Sequence, residues 1–160
     1  MPKPLNLGQH MASCLVQPIF QRENRKATIG LRQVMGYKLP VWQRDFVWSN
    51  DQCVKLIESL WLGINIGTYT FNRSRNNEDY DDLLIDGQQR MTAIQKYLDG
   101  DFPVFGYYWQ DLDKVEQRKL TFSHFHCYIT ESDDENYLRS YYDLVNFSGT
   151  AHKEDERATI

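Results

Sequence analysis

The stretch Leu83-Leu84-Ile85-Asp86-Gly87-Gln88-Gln89-Arg90-Met91-Thr92-Ala93-Ile94 constrains this 160-residue chain more than any other. Its apolar triplet reads as a buried strand, and a helical apolar spacing resumes at Met91, Ile94 and Leu98. An acid, a glycine, two amides and an arginine are thereby compressed into a strand-to-helix turn. In such a turn, free backbone N–H groups and the positive end of the helix dipole converge. Gly87 lets a ligand approach the backbone closely, and Arg90 offers a planar fork of donors matched to phosphate oxygens. The turn suits an anion. A plainer reading stands beside this one: Asp86 caps the helix, Gly87 serves a tight turn, and Arg90 pairs with an exposed acid.

Two further stretches bear on the choice. In Leu39-Pro40-Val41-Trp42-Gln43-Arg44-Asp45-Phe46-Val47-Trp48, Pro40 favours extended backbone before it, and a Gln-Arg pair lies among aromatic residues. Ser49, Asn50 and Asp51 then supply capping side chains for an amphipathic helix over about 51–62, with Gly63 as its stop. Toward the other end, an apolar-periodic helix runs into Asn146-Phe147-Ser148-Gly149-Thr150 and a charged segment reaching Glu156.

These three blocks resemble the ParB/sulfiredoxin-like superfamily. More closely, they resemble the family that includes the GmrS portion of GmrSD-type modification-dependent restriction enzymes, over roughly residues 27 to 158. That family shows an Ile/Leu-Pro-x-Tyr-Gln-Arg-x-Tyr/Phe-x-Trp block, an Ile-Asp-Gly-Gln-Gln-Arg-Leu-Thr block and an Asn-x-x-Gly-Thr-x-Leu-x-x-x-Glu block. Here Trp42 stands for the usual Tyr and His152 for the usual Leu. The resemblance implies an α+β fold, a small mixed sheet flanked by helices, that binds and often hydrolyses a nucleoside triphosphate with Mg²⁺. It implies that Gly87, Gln88 and Gln89 offer donors to phosphates, that Arg90 neutralises their charge, and that Gln43 and Arg44 approach from the other side. By the same resemblance Asp86 holds Mg²⁺ or orients an attacking water, and Asn146, Gly149 and Thr150 close the pocket. Asp86 and Arg90 are the catalytic candidates. Full-length restriction relatives carry a nuclease domain after this one; in 160 residues the expectation is a poorly ordered 1–13 and a single nucleotide-binding domain over 14–160.

The charge balance limits the partners. Eighteen Lys and Arg against 22 Asp and Glu leave a net −4, which argues against a generic DNA-coating surface. A local basic patch is still compatible, with Arg22, Arg25, Lys26 and Arg32 clustered early and Arg73 and Arg75 in a loop. The acidic runs near residues 78–82, 111–116 and 131–135 read as solvated loops. Three widely spaced cysteines imply no disulfide framework; Cys53 and Cys127 read as small core residues. Sulfiredoxin chemistry needs a reactive cysteine in the phosphate turn, where this chain has Gln88-Gln89. His124 and His126 share a strand face without a third ligand near in sequence, so a half-buried strand edge is preferred to a metal site. With no signal peptide and no apolar run long enough for a bilayer, a cytoplasmic protein is expected, with no membrane partner.

Further expected elements are a strand at 16–20, a helix at 29–35, β structure at 67–72 and a polar loop at 73–82. Downstream, a turn at 99–101, strands at 104–109 and 125–130 around a charged helix, and a long helix over 134–147 complete the set. Phe105, Tyr107 and Trp109 alternate as core residues of one strand face would, and Trp42 and Trp48 read as packing before base stacking. Three functions follow: a nucleotide-binding NTPase in a DNA-transaction or restriction/anti-restriction setting, a ParB-like factor that nicks or grips DNA, or a non-enzymatic adaptor for a partner protein. The sequence does not fix the oligomeric state.

Overall fold

The computed structural model describes residues 10–15 in their backbone and residues 32–147 in full. The described strands are β1 (His10–Leu15), β2 (Gln33–Val34), β3 (Tyr37–Lys38), β4 (Thr68–Asn72), β5 (Leu83–Asp86) and β6 (His124–Thr130). The described α-helices are α1 (Asn50–Trp61), α2 (Gln88–Leu98), α3 (Lys114–Thr121) and α4 (Glu135–Phe147). The strands form one mixed sheet in the order β1-β6-β4-β5-β3-β2. β5 runs antiparallel to β4 and parallel to β3, and β6 runs parallel to β4. The fold is α+β, as expected.

The apolar run of β5 follows from its central place. Leu84 packs into the larger core with Tyr69, Phe71 and Phe125 and with Cys53, Ile57 and Leu60 of α1 and Met91, Ile94 and Tyr97 of α2. Its neighbours Leu83 and Ile85 point the opposite way, onto Leu138 of α4, with Trp42, Tyr141 and Tyr142 beside them. Successive side chains alternate faces, so a strand covered on both sides has no polar positions to spare. The sheet is thus a layer between α1–α2–α3 and α4.

Helix boundaries follow local chemistry. The Ser49 side chain accepts from Gln52 N–H while the Gln52 amide accepts from Ser49 N–H, a reciprocal cap at the start of α1. At its other end, Gly63 N–H donates to Leu60 and Ile64 N–H to Ser59. Asp113 caps α3 by accepting from Glu116 N–H.

Three expectations are corrected. Residues 33–38 form a hairpin, not the end of a helix: Met35 and Gly36 both take positive φ (50° and 77°), which a helix forbids, and Met35 N–H donates to the Gln95 side chain. Residues 104–109 are not a strand. Val104 and Tyr107 close a tight turn, Phe105 and Tyr107 are exposed, and only Trp109 of the three packs on the core. β6 is not an edge, because β1 pairs with it from His10↔Ile129 to Leu15↔His124. That pairing also places residues 10–13 in the sheet. The strand expected at 16–20 lies outside the described residues, as do residues 1–9.

Candidate functional site

β5 ends at Asp86, and Gly87 turns the chain into α2. Gly87 has φ +102°, and a Cβ there would stand 2.6 Å from Tyr69 Cβ on the adjacent strand. The position needs glycine for both its backbone angle and its closeness to β4. Gly87 is the N-cap and supplies no side chain, so the first N–H groups of α2 keep no capping partner. Asp86 is therefore not the helix cap of the plainer reading.

Arg90 lies four residues on, over the same turn, its side chain 20% exposed and that of Asp86 21%. Its Nη2 is 3.6 Å from the Asp86 carboxylate, its Nη1 donates to Ile66 carbonyl at 2.9 Å, and the guanidinium lies 5.4 Å from the Phe125 ring. Gly67 makes the room, since a Cβ at this position would be 2.7 Å from Arg90 Nη1. Burial pushes the Asp86 carboxyl above its usual range, opposed by Arg90 and by the Gly87 N–H. Burial likewise lowers Arg90, opposed by Asp86. The arginine is a fixed buried charge rather than a free fork of donors.

The Gln43–Trp48 segment forms the facing wall. Gln89 uses its whole amide to pin it: Oε1 accepts from Val47 N–H at 2.9 Å and Trp48 N–H at 3.3 Å, and Nε2 donates to Asp45 carbonyl. The Gln89 side chain is thus committed to the loop. Arg32 holds the loop from its other side through Gln43 carbonyl and the Asp45 carboxylate. Gln43 is buried, and its Nε2 donates to Ile85 carbonyl at 3.1 Å. Arg44 is exposed and has no ion pair among the described residues.

These walls enclose a polar cleft of about 170 Å³, lined by Gln43, Arg44, Trp48, Asp86, Gly87, Gln88, Gln89, Arg90, Tyr142 and Asn146. Eight of those ten positions were singled out from the sequence. Gly149 and Thr150 lie outside the described residues. Trp42 is not part of the lining and packs behind Tyr142 and on Arg139. Tyr142 was missed, although it precedes Asn146 by one helical turn and so shares its face. Two residues of its lining have an unpaired acceptor: the Oε1 atoms of Gln43 and Gln88 are buried without a hydrogen bond among the described residues. With the Asp86 carboxylate they make a set of hard oxygen donors, the type that magnesium takes.

A larger hollow of about 630 Å³ lies elsewhere, between the end of α1 and the start of β6. It contains the stacked rings of His124 and His126 but no residue of the three sequence blocks. No group of three or more metal-binding side chains of the His, Cys, Asp or Glu type occurs among the described residues.

The fold and the cleft define an α+β domain with a polar cleft at a strand-to-helix turn. Residues 15–158 match the family described as GmrSD restriction endonuclease, N-terminal domain, and the chain belongs to that family. This ties it to DNA restriction. No curated protein and no solved structure matches the chain. No described helix is long and apolar enough to cross a membrane.

Proposed function

We propose that the cleft binds the phosphates of a nucleoside triphosphate, and that the domain hydrolyses it in the service of DNA restriction or anti-restriction. The observation that carries this reading is the convergence of Gln43-Arg44, Asp86–Arg90 and Asn146, distant in sequence, on one polar cleft. Its volume is below that of ordinary small-molecule pockets, roughly 300–1,000 Å³, so it takes phosphate groups and leaves the base outside. Trp48 and Tyr142 at its wall offer that base aromatic surface.

The first-turn N–H groups of α2, which no N-cap side chain covers, and the helix dipole draw the phosphate oxygens. Arg44 closes on them from the facing wall, and Arg90 supplies fixed positive charge beneath them. Asp86 holds Mg²⁺ or orients the attacking water. Bound Mg²⁺ would neutralise charge developing on the phosphoryl group, and the protein's part is positioning.

The test is a titration of the protein with ATP, GTP, CTP and UTP, with and without Mg²⁺. Saturable binding to one of them is expected, about tenfold weaker in Arg44→Ala, whose side chain has no ion pair among the described residues. Absence of binding to all four overturns the reading and leaves a protein partner or DNA as the ligand.

A further inference from the structure

The cleft contains more acceptors than a phosphate satisfies. A phosphate group fully ionised has no hydrogen to donate, yet Gln43 and Gln88, which line the cleft beside Asp86, each have a buried Oε1 without a partner among the described residues. The orientation of Gln43 is fixed chemically: its other amide atom meets the Ile85 carbonyl, so that atom is the donor nitrogen and the orphan is the oxygen. Arg90 does not serve these oxygens, because its bonds run to Ile66 and Asp86. Gln89, next in sequence to Gln88, shows the contrast, with both its amide oxygen and its amide nitrogen bonded. An orphaned buried acceptor costs about 1–3 kcal/mol, so two of them in one cleft are paid for only by a species that brings positive charge or donors.

A divalent cation that retains part of its water shell does both. Magnesium characteristically keeps several waters and takes one or two carboxylates together with substrate phosphates. We infer that Gln43 and Gln88, assigned by the family pattern to phosphate binding, instead form with Asp86 the cation half of the cleft: their amide oxygens receive a hydrated Mg²⁺ that arrives with the nucleotide. The first-turn N–H groups and Arg44 form the anion half. Rests of the triphosphate and the cation then stabilise one another, so each tightens the binding of the other by the same factor. The neutral amides leave Asp86 as the single formal charge on the cation side, which makes the cation dependent on the nucleotide. This inference rests on the nucleotide reading of the same cleft.

The experiment measures Mn²⁺, a spectroscopic stand-in for Mg²⁺, by electron paramagnetic resonance with whichever of the four triphosphates the wild type binds. Nucleotide affinity is measured separately in chelator, without metal. In Gln88→Met, Mn²⁺ affinity of the nucleotide complex is expected to fall about tenfold, as for other groups that hold metal-bound water, while metal-free nucleotide binding stays within about twofold. Gln43→Met is expected to do the same; it also loses the Ile85 bond, so Gln88→Met decides if that variant fails to fold. Unchanged Mn²⁺ affinity in Gln88→Met overturns the inference and leaves the nucleotide reading standing. A parallel fall in metal-free binding also overturns it, since the oxygens then accept from the nucleotide itself. A wild type that binds no nucleotide overturns both.

Discussion

Two clusters of buried amides lie at opposite ends of the β4–β5 pair, and they are completed differently. At one end, Asn72 is fully buried and makes four bonds: its Nδ2 donates to Tyr80 and Ser132 carbonyls, and its Oδ1 accepts from Thr130 Oγ1 and Ser132 N–H. At the other end, Gln43 and Gln88 are buried too, yet each has an oxygen with nothing to accept among the described residues. A complete network fixes two loops against the sheet and gains stability. An incomplete one costs stability and is retained where something else finishes it. The difference separates scaffold from site more clearly than size does, since the roomier hollow beside His124 and His126 gathers none of the residues that share the three sequence blocks.

The largest effect should come where both roles meet. Arg90→Ala leaves the Asp86 carboxylate buried and uncompensated and removes the Ile66 bond, so a loss of about 3 kcal/mol is expected in denaturant unfolding. Nucleotide affinity should drop about a hundredfold with it, as titration at a temperature where the variant is folded will show. The comparison breaks if the affinity survives. Asn72→Ala is the converse variant: unfolding should show a loss of about 2–3 kcal/mol, because four partners are orphaned, with nucleotide affinity unchanged in the folded protein. Weaker binding there would mean that the two ends are coupled.

The smallest effect is in pH dependence. Because burial raises the Asp86 carboxyl above its ordinary value of 3.8, the folded state holds a proton that the unfolded chain has lost. The contribution of Asp86 to stability is therefore present in full below that ordinary value and is lost as pH rises through the raised one. Asp86→Asn should remove this slope, seen as a flatter curve of unfolding free energy against pH just above the carboxylate range. An unchanged slope would show that the Arg90 charge and the Gly87 N–H fully offset the burial.

Much of the cleft was legible because its chemistry is local. Asp86 through Arg90 are contiguous, so one strand-to-helix turn brings them together whatever surrounds it, and the helix announced by Met91, Ile94 and Leu98 runs from Gln88 to Leu98. The apolar triplet of β5 announced burial on both faces. Other features were illegible for stated reasons. Positive φ at Met35 and Phe105 leaves no mark in composition, since neither residue type favours it, so both segments were read with the wrong period. Phe105 and Tyr107 alternate as core residues do, but a tight turn puts both into solvent.

The sequence by itself determined the strand–turn–helix unit, the need for glycine at its corner and the membership of its residues in one polar group. Only the tertiary structure decided which of them are free to act. Gln89 and Arg90 look like ligand donors in sequence, yet long-range contacts with Val47, Trp48 and Ile66 commit their side chains to holding the walls. Gln43 and Gln88 carry the same side chain as Gln89, and packing leaves their oxygens unpaired. A hydrogen bond belongs to a pair of groups, and which partner a side chain meets across the fold is settled by packing, not by its identity.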